Sequence, residues 1–307
     1  MDEATTNGVV DLSGLATEAI DPRYGHLDEL STTDIVLAMN EAEQSVPAAV
    51  RAVAPAIAGA IDAIAERMSR GGRLFYVGAG TPGRLGVLDA SECPPTFHTD
   101  PELVQAIIAG GPSAVFRSVE GAEDRADDGA AAIAERGVTA DDSVVGITAS
   151  GRTPYVLGAV EEAGRRGALT VGLCCNPHAA LSSLVAHPLE VVVGPEVLAG
   201  STRLKAGSAQ KQVLNAISTT VMVRLGKTYG NLMVDVTASN AKLRARALRL
   251  VQRITGADQA DAAAALAAAD HRVPQASVML ARGVDAAEAD RLVTAAGGRL
   301  ADILHRA

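Results

Sequence analysis

The sequence predicts an α/β protein: a three-layer αβα sandwich around a mostly parallel sheet, followed by a small C-terminal helical module. Three observations predict it. Five apolar runs of strand length (RLFYVG, ELVQAIIAG, SVVGITAS, ALTVGLCCN and LEVVVG) come in succession, with helical patterns such as GAEDRADDGAAAIAERG and TPYVLGAVEEAGRRG between them. The runs are apolar on both faces, as strands are when helices cover both sides of a parallel sheet. After Gly194 the strand patterns stop and only helical ones follow.

In chain order, residues 1–45 read as an N-terminal arm. It holds the turn signal DPRYG and a short helix, STTDIVLAMNEAEQ, which Ser31 or Thr32 caps. Residues 46–254 read as the main domain. It opens with one long alanine-rich helix from Val46 to Met68, with Pro47 in its first turn and a kink at Pro55, ended by Gly71-Gly72. Pro94-Pro95 are expected to stop the helix after the first strand, because proline lacks the N–H and fixes φ. Two long helices, RLKAGSAQKQVLNAISTTVMVRLG and TASNAKLRARALRLVQRI, complete this domain. Residues 255–307 read as a three-helix module, opened by a capping box of Thr255 with Asp258.

Composition bounds the function. The 307 residues carry a net charge of −9 with no basic cluster, which argues against a nucleic-acid footprint. With 48% hydrophobic and 21% charged residues and a mean hydropathy of +0.18, the chain is globular. No apolar run reaches membrane-span length and the N-terminus lacks a signal core, so a cytoplasmic location is expected. Three cysteines, Cys93 and the adjacent Cys174 and Cys175, form neither a disulfide framework nor a metal-spaced set. Cys93 reads as a small buried residue, since no histidine at a motif position activates it.

Two loops carry the chemistry. GAGTPG places Gly78, Gly80 and Gly83 in a G-x-G-x-x-G pattern directly after a strand. The acid that a dinucleotide site needs at the end of the second strand is missing, because Gly110 and Gly111 stand there. What remains is a glycine turn whose free N–H groups and helix dipole suit a phosphate, with Thr81 as N-cap and Pro82 as first helical residue. SVVGITAS runs into SGRTPYVLG in the same way, where Ser150 and Thr153 offer hydroxyls. Two readings stand for these hydroxyls: an anion site shared with the first loop, or helix capping alone. Glu92, ahead of the two prolines, is held on a stiff turn. Glu120 and Glu123 sit at a helix start, where the dipole favours negative charge without any catalytic role.

Taken together, GAGTPGRLGVLDASECPPTF, VEGAEDRADDG, ASGRTPYV, GSTRLKAGSAQK and GNLMVDVTASNAKL resemble the N-acetylmuramic acid 6-phosphate etherases of the sugar isomerase domain superfamily, over nearly the whole chain. The resemblance implies cleavage of a lactyl ether to N-acetylglucosamine 6-phosphate and D-lactate, with no metal or nucleotide cofactor. It places the family's essential acids on Glu92 and Glu123. Candidate substrate contacts in the motifs are Gly80, Thr81, Arg84, Ser91, Ser150, Gly151, Arg152, Thr153, Ser201 and Lys205. Arg203 lies beside them, and Lys211 is more simply a solvated residue. Pro82 replaces a serine common in the family's glycine loop, and His98 reads as surface variation. The long apolar helices and the family's habit predict a homodimer whose pocket both chains complete. An aldose–ketose isomerase, a non-catalytic sugar-phosphate sensor and a nucleotide-binding enzyme are the alternatives; retained Glu92 and Glu123 argue against the sensor.

Overall fold

The computed structural model describes residue 12, residues 14–235 and residues 240–305. Residues 1–11 and 13, within the acidic N-terminus, and residues 236–239, at the expected start of the TASNAKLRARALRLVQRI helix, lie outside the described residues.

Three helices lead into the sheet: α1 (Thr32–Glu43), α2 (Ser45–Ala52) and α3 (Ala54–Ser69). The single helix expected over 46–68 is two, broken at Val53 just before Pro55, and the chain bends there by 59°. The alternating core follows as β1 (Leu74–Gly78), α4 (Gly80–Phe97), β2 (Val104–Ile108), α5 (Ala126–Glu135), β3 (Ser143–Ile147), α6 (Pro154–Arg165), β4 (Leu169–Cys174), α7 (Ala180–Leu184) and β5 (His187–Glu190). All four strand pairings are parallel, in the order β2-β1-β3-β4-β5.

Alternate residues of β1 feed opposite layers, as a period of two requires. Leu74 and Tyr76 join a core built with α3, α4 and α8 (Lys205–Arg224), while Phe75 and Val77 pack with Ile133 of α5 and Ala159 of α6. The three-layer expectation therefore holds. Because the order reverses between β1 and β3, the loops after these two strands flank the switch-point crevice at the carboxyl edge of the sheet.

Beyond α8 come α9 (Ala241–Thr255), α10 (Gln259–Ala268), α11 (Val273–Arg282), α12 (Ala286–Ala295) and α13 (Leu300–Leu304), which share a second core with Val234. Asp258 caps α10 by accepting the Asp261 N–H; Thr255 instead donates to the Val251 carbonyl, so the expected capping box does not form. Among the described residues no single helix is long and apolar enough to cross a membrane.

Two further corrections concern α4. The helix does not stop at Pro94 but runs through both prolines to Phe97, because Cys93 and Phe97 bury on its core side and hold the last turn in place. It also starts two residues earlier than expected, at Gly80 with Ala79 as N-cap, so Thr81 does not cap it. His98 is exposed, as the surface reading expects, and closes the helix in the left-handed conformation.

Candidate active site

The first loop is tight because its glycines touch. A Cβ on Gly78 would lie 2.7 Å from the Gly83 nitrogen, and one on Gly83 would lie 2.8 Å from the Gly78 oxygen. Gly80 adopts φ +57°, which L side chains rarely do. Pro82 has no N–H and that of Gly83 is bonded to the Ala79 carbonyl, so Gly80 and Thr81 carry the N–H groups this turn can offer an anion. One turn on, Arg84 donates from Nε to the Val115 carbonyl at 3.0 Å and ties α4 to the segment after β2.

Gly110 turns that segment back, since Val119 packs where its Cβ would stand. Residues 118–123 thereby fold over the carboxyl ends of β1 and β2 and enclose a cavity of about 200 Å³. Gly80, Arg84, Ser118, Glu120 and Glu123 line it. Glu123 is not in the first turn of a long helix as expected. It sits in a single 3₁₀ turn, Ala122–Asp124, ahead of α5, so the dipole explanation for its charge weakens.

The second loop forms a hydroxyl cluster. Thr148 and Thr153 pair their hydroxyls at 2.7 Å, Ser150 Oγ lies 3.3 Å from Thr148 Oγ1, and the N–H groups of Gly151 and Arg152 donate to Thr148 and Ser150. Thr153 is the N-cap residue of α6, with Pro154 first in the helix, yet its side chain caps nothing. Helix capping alone therefore does not explain it. Gly151 is required by contact, as a Cβ there would lie 2.3 Å from that of Ala179. Arg152 is exposed beside the cluster.

Three residues were not legible as site elements. Thr148, 2% exposed, organises the cluster from within an apolar strand pattern. Asn176 donates to the Ala149 carbonyl and to Thr17 Oγ1 and accepts the Thr17 N–H, clasping the N-terminal arm to this edge of the sheet. Glu196 is buried and accepts the N–H groups of Lys205 and Ala206, capping α8. Burial raises its carboxyl above the usual range, against the lowering effect of those two bonds.

Other expected contacts lie elsewhere. Lys205 is 4% exposed and its ammonium donates to the Val193 carbonyl at 2.9 Å. Burial lowers it, with Glu196 opposing. It braces the start of α8 and is not presented to the cavity. Ser201 is half-buried in the preceding turn and Arg203 is exposed there. Ser91 Oγ donates back to Leu88 of its own helix, outside the cavity. Glu92 is exposed on α4, twelve residues beyond Gly80 and therefore about 18 Å along the helix at ~1.5 Å per residue. One chain thus brings together Gly80, Arg84 and Glu123, but not Glu92.

A parallel sheet with a glycine turn, an arginine and a carboxylate at its switch point defines a sugar isomerase domain protein. Residues 56–163 match the model of the glucokinase regulatory protein N-terminal SIS domain, and residues 230–272 that of the C-terminal lid domain of glucokinase regulatory protein. The N-acetylmuramic acid 6-phosphate etherases of Streptomyces avermitilis and Rubrobacter xylanophilus are each 58% identical over 94% of this chain, covering 93% and 96% of their own. That of Mycolicibacterium smegmatis is 51% identical over 94% of the chain and 97% of its own. The chain belongs to the N-acetylmuramic acid 6-phosphate etherase family.

Proposed function

We infer that this chain is a carbon–oxygen lyase that cleaves the D-lactyl ether of N-acetylmuramic acid 6-phosphate, yielding N-acetylglucosamine 6-phosphate and D-lactate in cell-wall sugar recycling. The observation that carries the site reading is the convergence of the Gly80 turn, Arg84 and Glu123 on one cavity. Anion-directed N–H groups and a cation suit the phosphate, and a carboxylate suits proton removal.

In the open-chain sugar the C1 aldehyde acidifies the C2 proton. Glu123 takes that proton, the C3–O bond breaks as the C2=C3 double bond forms, and Glu92 protonates the departing lactate oxygen. Glu92, now ionised, takes a proton from water as its hydroxyl adds to C3. Glu123 returns a proton to C2, and the ring recloses. The hydroxyl cluster of Thr148, Ser150 and Thr153 follows the neighbouring strand β3, outside the lining of this cavity, and is the second candidate contact for the anion.

The working unit is a homodimer. At about 200 Å³ the cavity falls short of the roughly 300–1,000 Å³ of ligand pockets, and a sugar phosphate seated at Gly80 is too short to reach Glu92 of the same chain. Exposed apolar side chains lie on the segments that carry the cavity: Val119 lines it, Phe116 is 88% exposed beside the Arg84-bound Val115, and Leu88 is 48% exposed one turn beyond Arg84. A second copy covers them and delivers its Glu92. A cytoplasmic location fits a substrate that carries both a phosphate and a carboxylate and so does not cross a bilayer unaided.

Enzymatic measurement of D-lactate from N-acetylmuramic acid 6-phosphate tests the reading. Lactate and N-acetylglucosamine 6-phosphate in equal amounts support it. Turnover of fructose or glucosamine 6-phosphate with no lactate assigns the site to an isomerase, and binding without turnover to a sensor.

A further inference from the structure

Asp89 lies one helical turn before Glu92 and is 5% exposed. Its Oδ1 accepts Asn215 Nδ2 at 2.7 Å and Ser218 Oγ at 3.1 Å, both from α8, and its Oδ2 accepts the Tyr76 hydroxyl of β1 at 2.8 Å. Among the described residues no cation pairs with it. A buried carboxylate held only by neutral donors is a poor stabiliser, and an apolar side chain of similar size commonly serves a core as well or better.

The backbone explains what such an anchor accomplishes here. In a regular helix the N–H groups of residues 94 and 95 would bond to the carbonyls of Ala90 and Ser91. Prolines at both positions remove those two rungs from the turn that carries Glu92. Side-chain contacts must then hold the turn. Asp89 makes them to two different layers, so both the rotation of α4 and its position along α8 are fixed at that point.

We propose that Asp89 is a positioning residue for the etherase reaction: its three bonds to Tyr76, Asn215 and Ser218 aim Glu92 at the ether oxygen. This rests on the assignment of Glu92 as proton donor. The geometry, not the charge, is what matters. An asparagine at 89 keeps Oδ1 for the two α8 donors and turns its amide N–H to the Tyr76 oxygen, whereas a leucine keeps the volume and loses all three bonds.

The test compares full-length wild type, Asp89→Leu, Asp89→Asn and the Asn215→Ala/Ser218→Ala double variant. Lactate release, KM, exchange of the C2 proton with deuterated water, and thermal midpoint are measured for each. Asp89→Leu is expected to lose roughly 10²-fold in kcat for lactate release, the lower end of what general acid catalysis contributes. Its KM and C2 exchange should stay within about threefold of wild type, with Asp89→Asn back within about fivefold in kcat. The double variant should fall between the two and serves if the leucine variant does not fold. Lactate release within threefold of wild type in both Asp89→Leu and the double variant overturns the proposal. So does a loss of C2 exchange and substrate affinity in step with lactate release, or an asparagine variant as impaired as the leucine one. Wild-type lactate release and a silent Glu92→Gln in the same assay report separately on the underlying reading: without either of them that reading fails, whatever Asp89 does.

Discussion

The hydroxyl groups of Thr148 and Thr153 lie 2.7 Å apart at the carboxyl end of β3, one from the residue that follows the strand and one from the N-cap of α6, so that neither serves the helix. A hydroxyl pair at this position can release one proton bond toward an incoming anion while the other is retained. A cap cannot do this without unravelling its helix.

The first prediction follows from that pair. Thr153→Ala and Ser150→Ala should each raise KM for the sugar phosphate by about tenfold or more, since a hydrogen bond to a charged group is worth ~1.5–3 kcal/mol. Thr148→Val should do the same at second hand, by disordering both partners, while kcat changes less. Steady-state kinetics checks this, with competitive inhibition by inorganic phosphate as an independent measure. Unchanged KM in both alanine variants removes the cluster from the site.

A contrasting prediction concerns the far edge of the sheet. Asp142 accepts the N–H groups of Arg73 and Thr139 at 2.8 Å and pairs with the Arg73 guanidinium at 2.8 Å, joining the starts of β1 and β3. Burial raises its carboxyl, but the Arg73 bond and the two N–H groups outweigh it, and the net direction is downward. Asp142→Asn should cost about 1–3 kcal/mol, since Arg73 is 30% exposed and keeps its carbonyl partners, and leave KM unaltered in the folded fraction. Urea unfolding and kinetics on the same preparation test both halves.

Most of the architecture was legible because parallel strands announce themselves as apolar runs, and the two functional loops because glycine and proline mark them. What was not legible depends on partners distant in sequence. β5 was expected over LEVVVG but is His187–Glu190, since this edge strand carries Pro188 and alternates in burial, leaving the more apolar run beyond it the stronger signal. The persistence of α4 through Pro94 and Pro95 is decided by Cys93 and Phe97 packing into the core, which no local rule predicts. Lys205 was a candidate contact because it is a cation within one of the family motifs; its burial against Val193 and Glu196 is a tertiary fact. The distance of Glu92 from Gly80, and so from the cavity that Gly80 lines, follows from helix length once α4 is known to be continuous.

The third prediction is alkaline. Burial pushes the Cys93 thiol up to about 12, with Asp89 and then Glu92 adding to it, and pushes Cys174 up to about 11; Cys175 is raised too. The unfolded chain releases these protons near pH 9, while the folded chain keeps them. Stability is therefore whole below pH 9 and declines as pH rises from 9 through 11 and 12. The slope is at most about 1.4 kcal/mol per pH unit for each thiol. The urea midpoint should drop between pH 8 and pH 10.5, less steeply in a Cys93→Ala variant, and native thiols should resist iodoacetamide at pH 8.5. A midpoint that is flat over this range contradicts the burial of the thiols.

The central claim is that each active site unites Glu123 of one chain with Glu92 of its partner. Glu92→Gln and Glu123→Gln homodimers should each be nearly silent in lactate release, a loss of about 10²- to 10⁴-fold. After the two are mixed in equal amounts and allowed to exchange subunits, half of the dimers are mixed, and one of the two sites in each carries both native glutamates. Lactate release should return to about a quarter of the wild-type rate. If both carboxylates of a site come from one chain, every site in the mixture lacks one of them, and activity that stays at the level of the separate variants contradicts the account.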